Sequence, residues 1–163
     1  MTKKIIIPII ATALFIAAVG ILMQKTSTLA PTPKPTNVAS FVTINGKEIS
    51  VETAKTPEER EKGLSGVSSL DKDSGMLFVF ENKSKTPVFW MKGMLIPLDI
   101  IWIKEDKIIR IDKKVPVPAT DTPDNKIKTY SAGTVVDYVL EVNAGFSDSN
   151  SIKIGDSVTV TGI

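Results

Sequence analysis

Over residues 38–163 apolar and polar positions alternate mostly with a period of two, the pattern of half-buried strands. The alternation predicts strands at 41–44 and 47–53 around Asn45-Gly46, the dipeptide best suited to a two-residue hairpin turn. Pairing across that turn puts Val42 and Ile44 on the same side as Ile49 and Val51. Further strands are expected at 76–80, 87–91, 98–103, 107–112, 135–142 and 157–161, with a tight turn at Glu105-Asp106. Thr56-Pro57-Glu58-Glu59 breaks the pattern and reads as a helix start: Thr at the cap, Pro at the first helical position, and Glu59 three residues after the cap. This helix should run to about Lys62 and stop at Gly63. Residues 64–74 and 113–128 have no clear period and are expected as surface loops, the second long enough for a lid or binding loop. A short turn or helical segment is expected at 146–151. About eight short strands and one helix imply a mainly β (α+β) fold, a small, mainly antiparallel barrel-like or sandwich domain.

The first 37 residues follow different rules. Residues 5–23 carry no charge, and at about 1.5 Å per residue they are long enough to cross a hydrocarbon core of roughly 30 Å. Lys3 and Lys4 precede them with no acidic residue nearby, so 1–4 is expected in the cytoplasm and 5–23 as a single-pass transmembrane signal anchor, the membrane itself being the first partner. A cleaved signal peptide releasing a secreted domain is the competing reading, but Thr28-Leu29-Ala30 followed by Pro31 is a poor cleavage site. Residues 24–37 are rich in Thr and Pro and read as an extended tether, leaving 38–163 as an extracytoplasmic globular domain.

Charge and composition then narrow the chemistry. Sixteen of the twenty basic residues and all eighteen acidic ones lie in 38–163, a formal charge of −2, so no nucleic-acid partner is expected. The chain has neither histidine nor cysteine. That excludes a lipoprotein anchor, disulfides, the usual zinc sites, a Ser-His-Asp triad and a Cys-His pair. No metal site and no cofactor are expected. Met76, Met91 and Met94 carry soft thioethers suited to Cu(I), but filling a core is the better reading. Asp71, Asp73, Asp121 and Asp124 lack the glycine and closing glutamate of a calcium loop.

Two carboxylates remain as candidates. In a strand over 98–103, Leu98, Ile100 and Trp102 share one face while Asp99, Ile101 and Ile103 share the other, so Asp99 sits among apolar residues and must be hydrogen-bonded, paired or open to a pocket. Glu141 falls on a more mixed strand face with Asp137, Val139 and Asn143, and is more easily wet than Asp99. Arg60 and Lys92 are possible partners for them. Trp90 and Trp102 could stack on a sugar, yet their apolar strands favour core packing, with Trp90 nearer the rim because it shares a face with Lys92.

Five blocks in order, TPEEREKGLSG, GMLFVFEN, FWMKGMLIPLDIIWI, VLEVNAG and IKIGD, resemble the bacterial and archaeal family called domain of unknown function 192. The resemblance covers about 49–160 and implies a compact, mostly β domain with a short helix, often exported behind one hydrophobic segment. It implies no activity. Matching positions include Arg60, Gly63, Gly75, Met76, Phe78, Trp90, Met91, Lys92, Asp99, Glu141, Gly145 and Asp156; Val67, Gly93 and Met94 stand where the family often has polar residues. The combined expectation is a binding or interaction module of unestablished activity with a cleft near Arg60, Trp90, Lys92, Asp99 and Glu141, taking a small molecule, a glycan or a protein. One alternative is a hydrolase using Asp99 and Glu141 on an envelope glycan or another extracellular substrate, which requires the two to meet in one pocket. The other is a purely structural envelope protein, with no pocket.

Overall fold

Asn45 and Gly46 both adopt positive φ, 51° and 76°, and turn β1 (Ser40–Ile44) into β2 (Lys47–Ala54). Such a turn twists in the same sense as the strands it joins. The computed structural model describes residues 39–81 and 86–163; the expected cytoplasmic segment 1–4, membrane span 5–23 and tether 24–37 lie outside them. Val42 pairs with Ile49 and Ser40 with Val51, and Val42, Ile44, Ile49 and Val51 join one buried cluster as the alternation predicts.

Helix α1 (Pro57–Lys62) begins with the expected capping box: the Glu59 amide donates to the Thr56 hydroxyl at 3.1 Å, and the Thr56 amide donates to the Glu59 carboxylate at 2.9 Å. The Lys55 amide donates to the same carboxylate, and these backbone bonds hold Glu59 below the usual carboxylate range. None of the helix residues is buried, so capping rather than core contact fixes its start. The helix and the loop behind it carry the chain across to β3 (Ser74–Val79), which pairs with β2 in parallel. A parallel pair needs such a crossover.

Among the described residues the other strands are β4 (Phe89–Trp90), β5 (Leu98–Lys104), β6 (Lys107–Val115), β7 (Thr129–Tyr130), β8 (Tyr138–Asn143) and β9 (Val158–Thr161). Of these nine described strands, seven form one sheet in the order β6-β5-β8-β3-β2-β1-β9, antiparallel except at β2-β3. The sheet curls into a half-barrel whose two edges meet at one end: Lys107 bridges Ser157, the Ile108 amide donates to the Asp156 carbonyl at 3.0 Å, and the Val158 amide to the Asp106 carbonyl at 2.9 Å. A short helix α2 (Phe146–Ser149) follows β8.

Because side chains alternate, the curled sheet has two buried faces. The inner face is lined by Val42, Ile49, Leu77, Ile101, Leu140 and Val158 with their neighbours, one contribution or more from every long strand. The outer face of β3, β5 and β8 carries Phe78, Ile100, Trp102 and Val139, covered by Met91, Met94, Val115 and Tyr130 from outside the middle of the sheet. Each fully buried aliphatic side chain on either face stabilises the fold by about 1.5–3 kcal/mol.

The structure corrects the sequence at three places. The strand expected at 87–91 is only Phe89–Trp90, and it pairs not with the main sheet but with Thr129–Tyr130, a strand the sequence does not announce. Two-residue strands are too short to show a period. The strand expected to end at 112 continues to Val115 across a bulge: Leu98 faces Val115 and Ile100 faces Asp112, with Lys114 at φ 51°. An inserted residue shifts the alternation by one and hides the continuation. Finally, the loop 113–128 contains a turn of 3-10 helix, Asp124–Lys126.

Candidate functional site

Glu141 stands on β8 with Met76 of β3 and Ile100 of β5 beside it in register, on the outer face of the sheet. Gly75 keeps β3 close at this point, since a Cβ there would collide with the Glu141 carbonyl oxygen. The side chain lines a cleft of about 380 Å³ between α1, β3 and the segment carrying β4. Phe78, Phe80, Phe89 and Trp90 supply its aromatic walls. Phe89 is the hub of the cluster, edge-on to Phe78 at 4.8 Å, to Phe80 at 6.4 Å and to Trp102 at 5.5 Å between ring centres. Such edge-to-face contacts fix ring orientation as well as burying area.

Glu141 is only 4% exposed and makes no hydrogen bond or ion pair with any described residue. Burial pushes its carboxyl up to about 8, because nothing nearby replaces the water that an ionised carboxylate loses. At neutral pH it is therefore mostly protonated, able both to donate and to accept a hydrogen bond.

Arg60 and Lys92 at the cleft are, by contrast, engaged. The Arg60 guanidinium donates to the Lys55 carbonyl and, at 3.1 Å, to the Val79 carbonyl, and lies 5.3 Å from the centre of the Phe80 ring. It thus ties α1 to the end of β3. Lys92 pairs with Asp124 at 2.6 Å and lies 5.1 Å from the centre of the Trp90 ring, so the 113–128 loop is linked to the cleft rim. Gly93, at φ 70°, turns the chain between Met91 and Met94 so that both enter the same outer core instead of opposite faces. A side chain at Gly93 would strike the Ser65 hydroxyl, so the α1 loop and this turn pack closely.

Four of the five expected site residues, Arg60, Trp90, Lys92 and Glu141, line this one cleft. Asp99 does not. It pairs with Val142, one register step from Glu141, and so projects to the inner face of the sheet. There it is fully buried and accepts three backbone hydrogen bonds, from the amides of Lys114 at 2.8 Å, Gly145 at 2.9 Å and Ser147 at 2.9 Å. The first comes from the β6 bulge and the last two from the start of α2, so Asp99 clamps two irregular pieces of backbone onto β5. The expectation that Asp99 and Glu141 converge is overturned by strand alternation, because adjacent in-register partners that differ by one residue face opposite ways.

Trp90 and Trp102 also part company. Trp102 is fully buried and donates to Asp112 at 2.8 Å, whereas Trp90 is 44% exposed at the cleft mouth rather than in the core. Burial works against ionisation of Asp112, but the hydrogen bonds from Arg110 and Trp102 outweigh it and hold the carboxyl below its usual range. The sequence does not announce the phenylalanine walls. Met76, Phe78 and Phe80 alternate onto one face in the sequence, but only the β3-β8 register reveals that this face meets Glu141.

Comparison with known proteins agrees with this architecture. A protein from Sinorhizobium meliloti 1021, described as a candidate transcription regulator, is 28% identical, with a TM-score of 0.67 over 80% of this chain and 100% of its own. A protein of unknown function from Novosphingobium aromaticivorans DSM 12444 is also 28% identical, with a TM-score of 0.63 over 81% of this chain and 94% of its own. No curated protein gives a match in sequence. The family profile of DUF192, described as Uncharacterized ACR, matches residues 40–160. Since that span holds the half-barrel and the cleft together, the chain belongs to the DUF192 family.

Proposed function

We propose that the domain is a binding module whose ligand occupies the cleft over Glu141, presented outside the cytoplasmic membrane by a span at 5–23 and a tether at 24–37. The observation that carries this reading is the bare carboxyl of Glu141 at an aromatic cleft of about 380 Å³. The same sheet satisfies its other buried carboxylate with three backbone donors. An acid at a cleft with little water and no protein donor loses most of the hydration its ionised form needs, and a ligand that supplies a partner restores it. The cleft volume lies within the range of small-molecule sites, and its mix of apolar walls and few polar groups is typical of them. The apolar run at 5–23, flanked by Lys3 and Lys4, supports the membrane location. A charge of −2 over 38–163 supports no nucleic-acid partner, and the regulator description stays with the Sinorhizobium protein. A hydrolase built on the Asp99 and Glu141 pair finds no support, since the two lie on opposite faces.

The test is a thermal-shift screen of the full chain in detergent micelles against sugars, peptidoglycan fragments, amines and short peptides. A true ligand stabilises the folded state by about 2.7 kcal/mol at a hundredfold excess over its dissociation constant. The expected hit loses its shift in Trp90→Ala, which removes a half-exposed wall of the cleft. A hit unaffected by both Trp90→Ala and Glu141→Gln binds elsewhere, and that result, or no hit at all, counts against the reading.

A further inference from the structure

Resting on the reading of this cleft as a binding site, we propose that its ligand carries a cationic nitrogen, an ammonium or guanidinium on an apolar stem, which is seated among the aromatic walls and pairs with Glu141. The charged groups lining the cleft are Arg60, Glu61 and Lys62 from α1, Lys92 from the segment after β4, and Glu141 from β8; the register neighbours on β3 and β5, Met76 and Ile100, carry no charge. Arg60 is held by two backbone carbonyls and Lys92 by Asp124, while Glu61 and Lys62 are exposed on the helix. The buried group left over is an acid, and the complementary ligand group is a cation.

The walls favour the same answer. Ring faces attract cations, more strongly as water is removed. This chain already uses that attraction three times, placing Arg60 on Phe80, Lys92 on Trp90, and Lys128 4.8 Å from the Tyr130 ring centre. An anionic ligand would meet Glu141 as a like charge or force it to keep its proton. A cation does the opposite: it draws the carboxyl to its ionised form, so binding expels a proton whenever the free site is protonated.

Calorimetric titration of the full chain in micelles tests this with phenethylamine, 2-phenylethanol and 3-phenylpropionate, which share a ring and stem but carry a cation, no charge and an anion. Each is titrated from pH 6 to 9 in two buffers of different ionisation enthalpy, so that proton release is read directly. Phenethylamine is expected to bind most tightly, releasing close to one proton at pH 6–7, with affinity rising by up to about tenfold per pH unit and levelling above the Glu141 titration. Glu141→Gln is expected to abolish proton release and reduce phenethylamine to the affinity of 2-phenylethanol. If 2-phenylethanol or 3-phenylpropionate binds as well as phenethylamine, and all are weakened by Trp90→Ala, the cleft is a binding site but the cation assignment falls. If none binds, or binding ignores both substitutions, the cation assignment and the binding-site reading fall together.

Discussion

The inner and outer faces of the half-barrel each bury a carboxylate, and the two are treated in opposite ways. Asp99, on the inner face, is surrounded by backbone amides that the fold itself supplies: a bulge in β6 and the start of α2 both turn N–H groups toward it. Those amides would otherwise be unpaired in the interior, so the carboxylate and the irregular backbone satisfy each other. Glu141, one register step away on the outer face, is nearly as buried but has aromatic rings and a cleft in place of donors. Burial alone therefore does not distinguish a structural acid from a site acid in this domain. What distinguishes them is whether the fold completes the hydrogen bonding.

Breaking the inner arrangement should have the largest effect. Asp99→Ala leaves three amides without their acceptor and is expected to cost about 3–5 kcal/mol in urea unfolding of the full chain, with Asp99→Asn costing about half as much because one acceptor oxygen remains. An Asp99→Ala protein with the wild-type midpoint would erase the contrast.

Glu141 should respond to pH rather than to simple removal. Burial raises its folded-state pKa from the ordinary 4.5 to about 8, so the folded chain holds a proton that the unfolded chain gives up. Its contribution is fully favourable below the unfolded value, declines as pH rises between the two values, and is lost above the folded one. Wild-type stability should accordingly fall by on the order of 1 kcal/mol per pH unit through that window relative to Glu141→Gln, which lacks the titration. Parallel stability curves from pH 5 to 9 would mean that Glu141 is not the bare acid described here.

Asp112 is an intermediate case, a half-buried carboxylate held by Arg110 and Trp102. Trp102→Phe removes one donor and some volume, and is expected to lower stability by about 1–3 kcal/mol in thermal unfolding. The smallest effect belongs to the rim. Lys92→Met breaks an ion pair whose side chains are 49% and 60% exposed, and should move stability by no more than about 0.5 kcal/mol. A drop well beyond 1 kcal/mol would make the Lys92–Asp124 link a structural clamp instead of part of an open cleft mouth.

Local rules made much of this fold legible in the sequence. Asn45-Gly46 specifies its hairpin because few other residues accept two positive φ values in succession, and Thr56-Pro57-Glu58-Glu59 specifies its helix start through bonds made within four residues. The alternation over 98–103 correctly separates Asp99 from Ile100 and Trp102, since the side-chain period of a strand needs no partner to be read. What alternation cannot supply is the register between strands far apart in the chain. That Met76 lies beside Glu141, that Phe89 and Trp90 pair with a strand forty residues later, and that the β6 bulge offers its amide to Asp99 are outcomes of long-range pairing. Alternation along one strand shows which residues share a face, but which faces meet, and so which of two buried acids is left bare at a cleft, follows from long-range pairing, because hydrogen-bond satisfaction depends on backbone brought in from elsewhere.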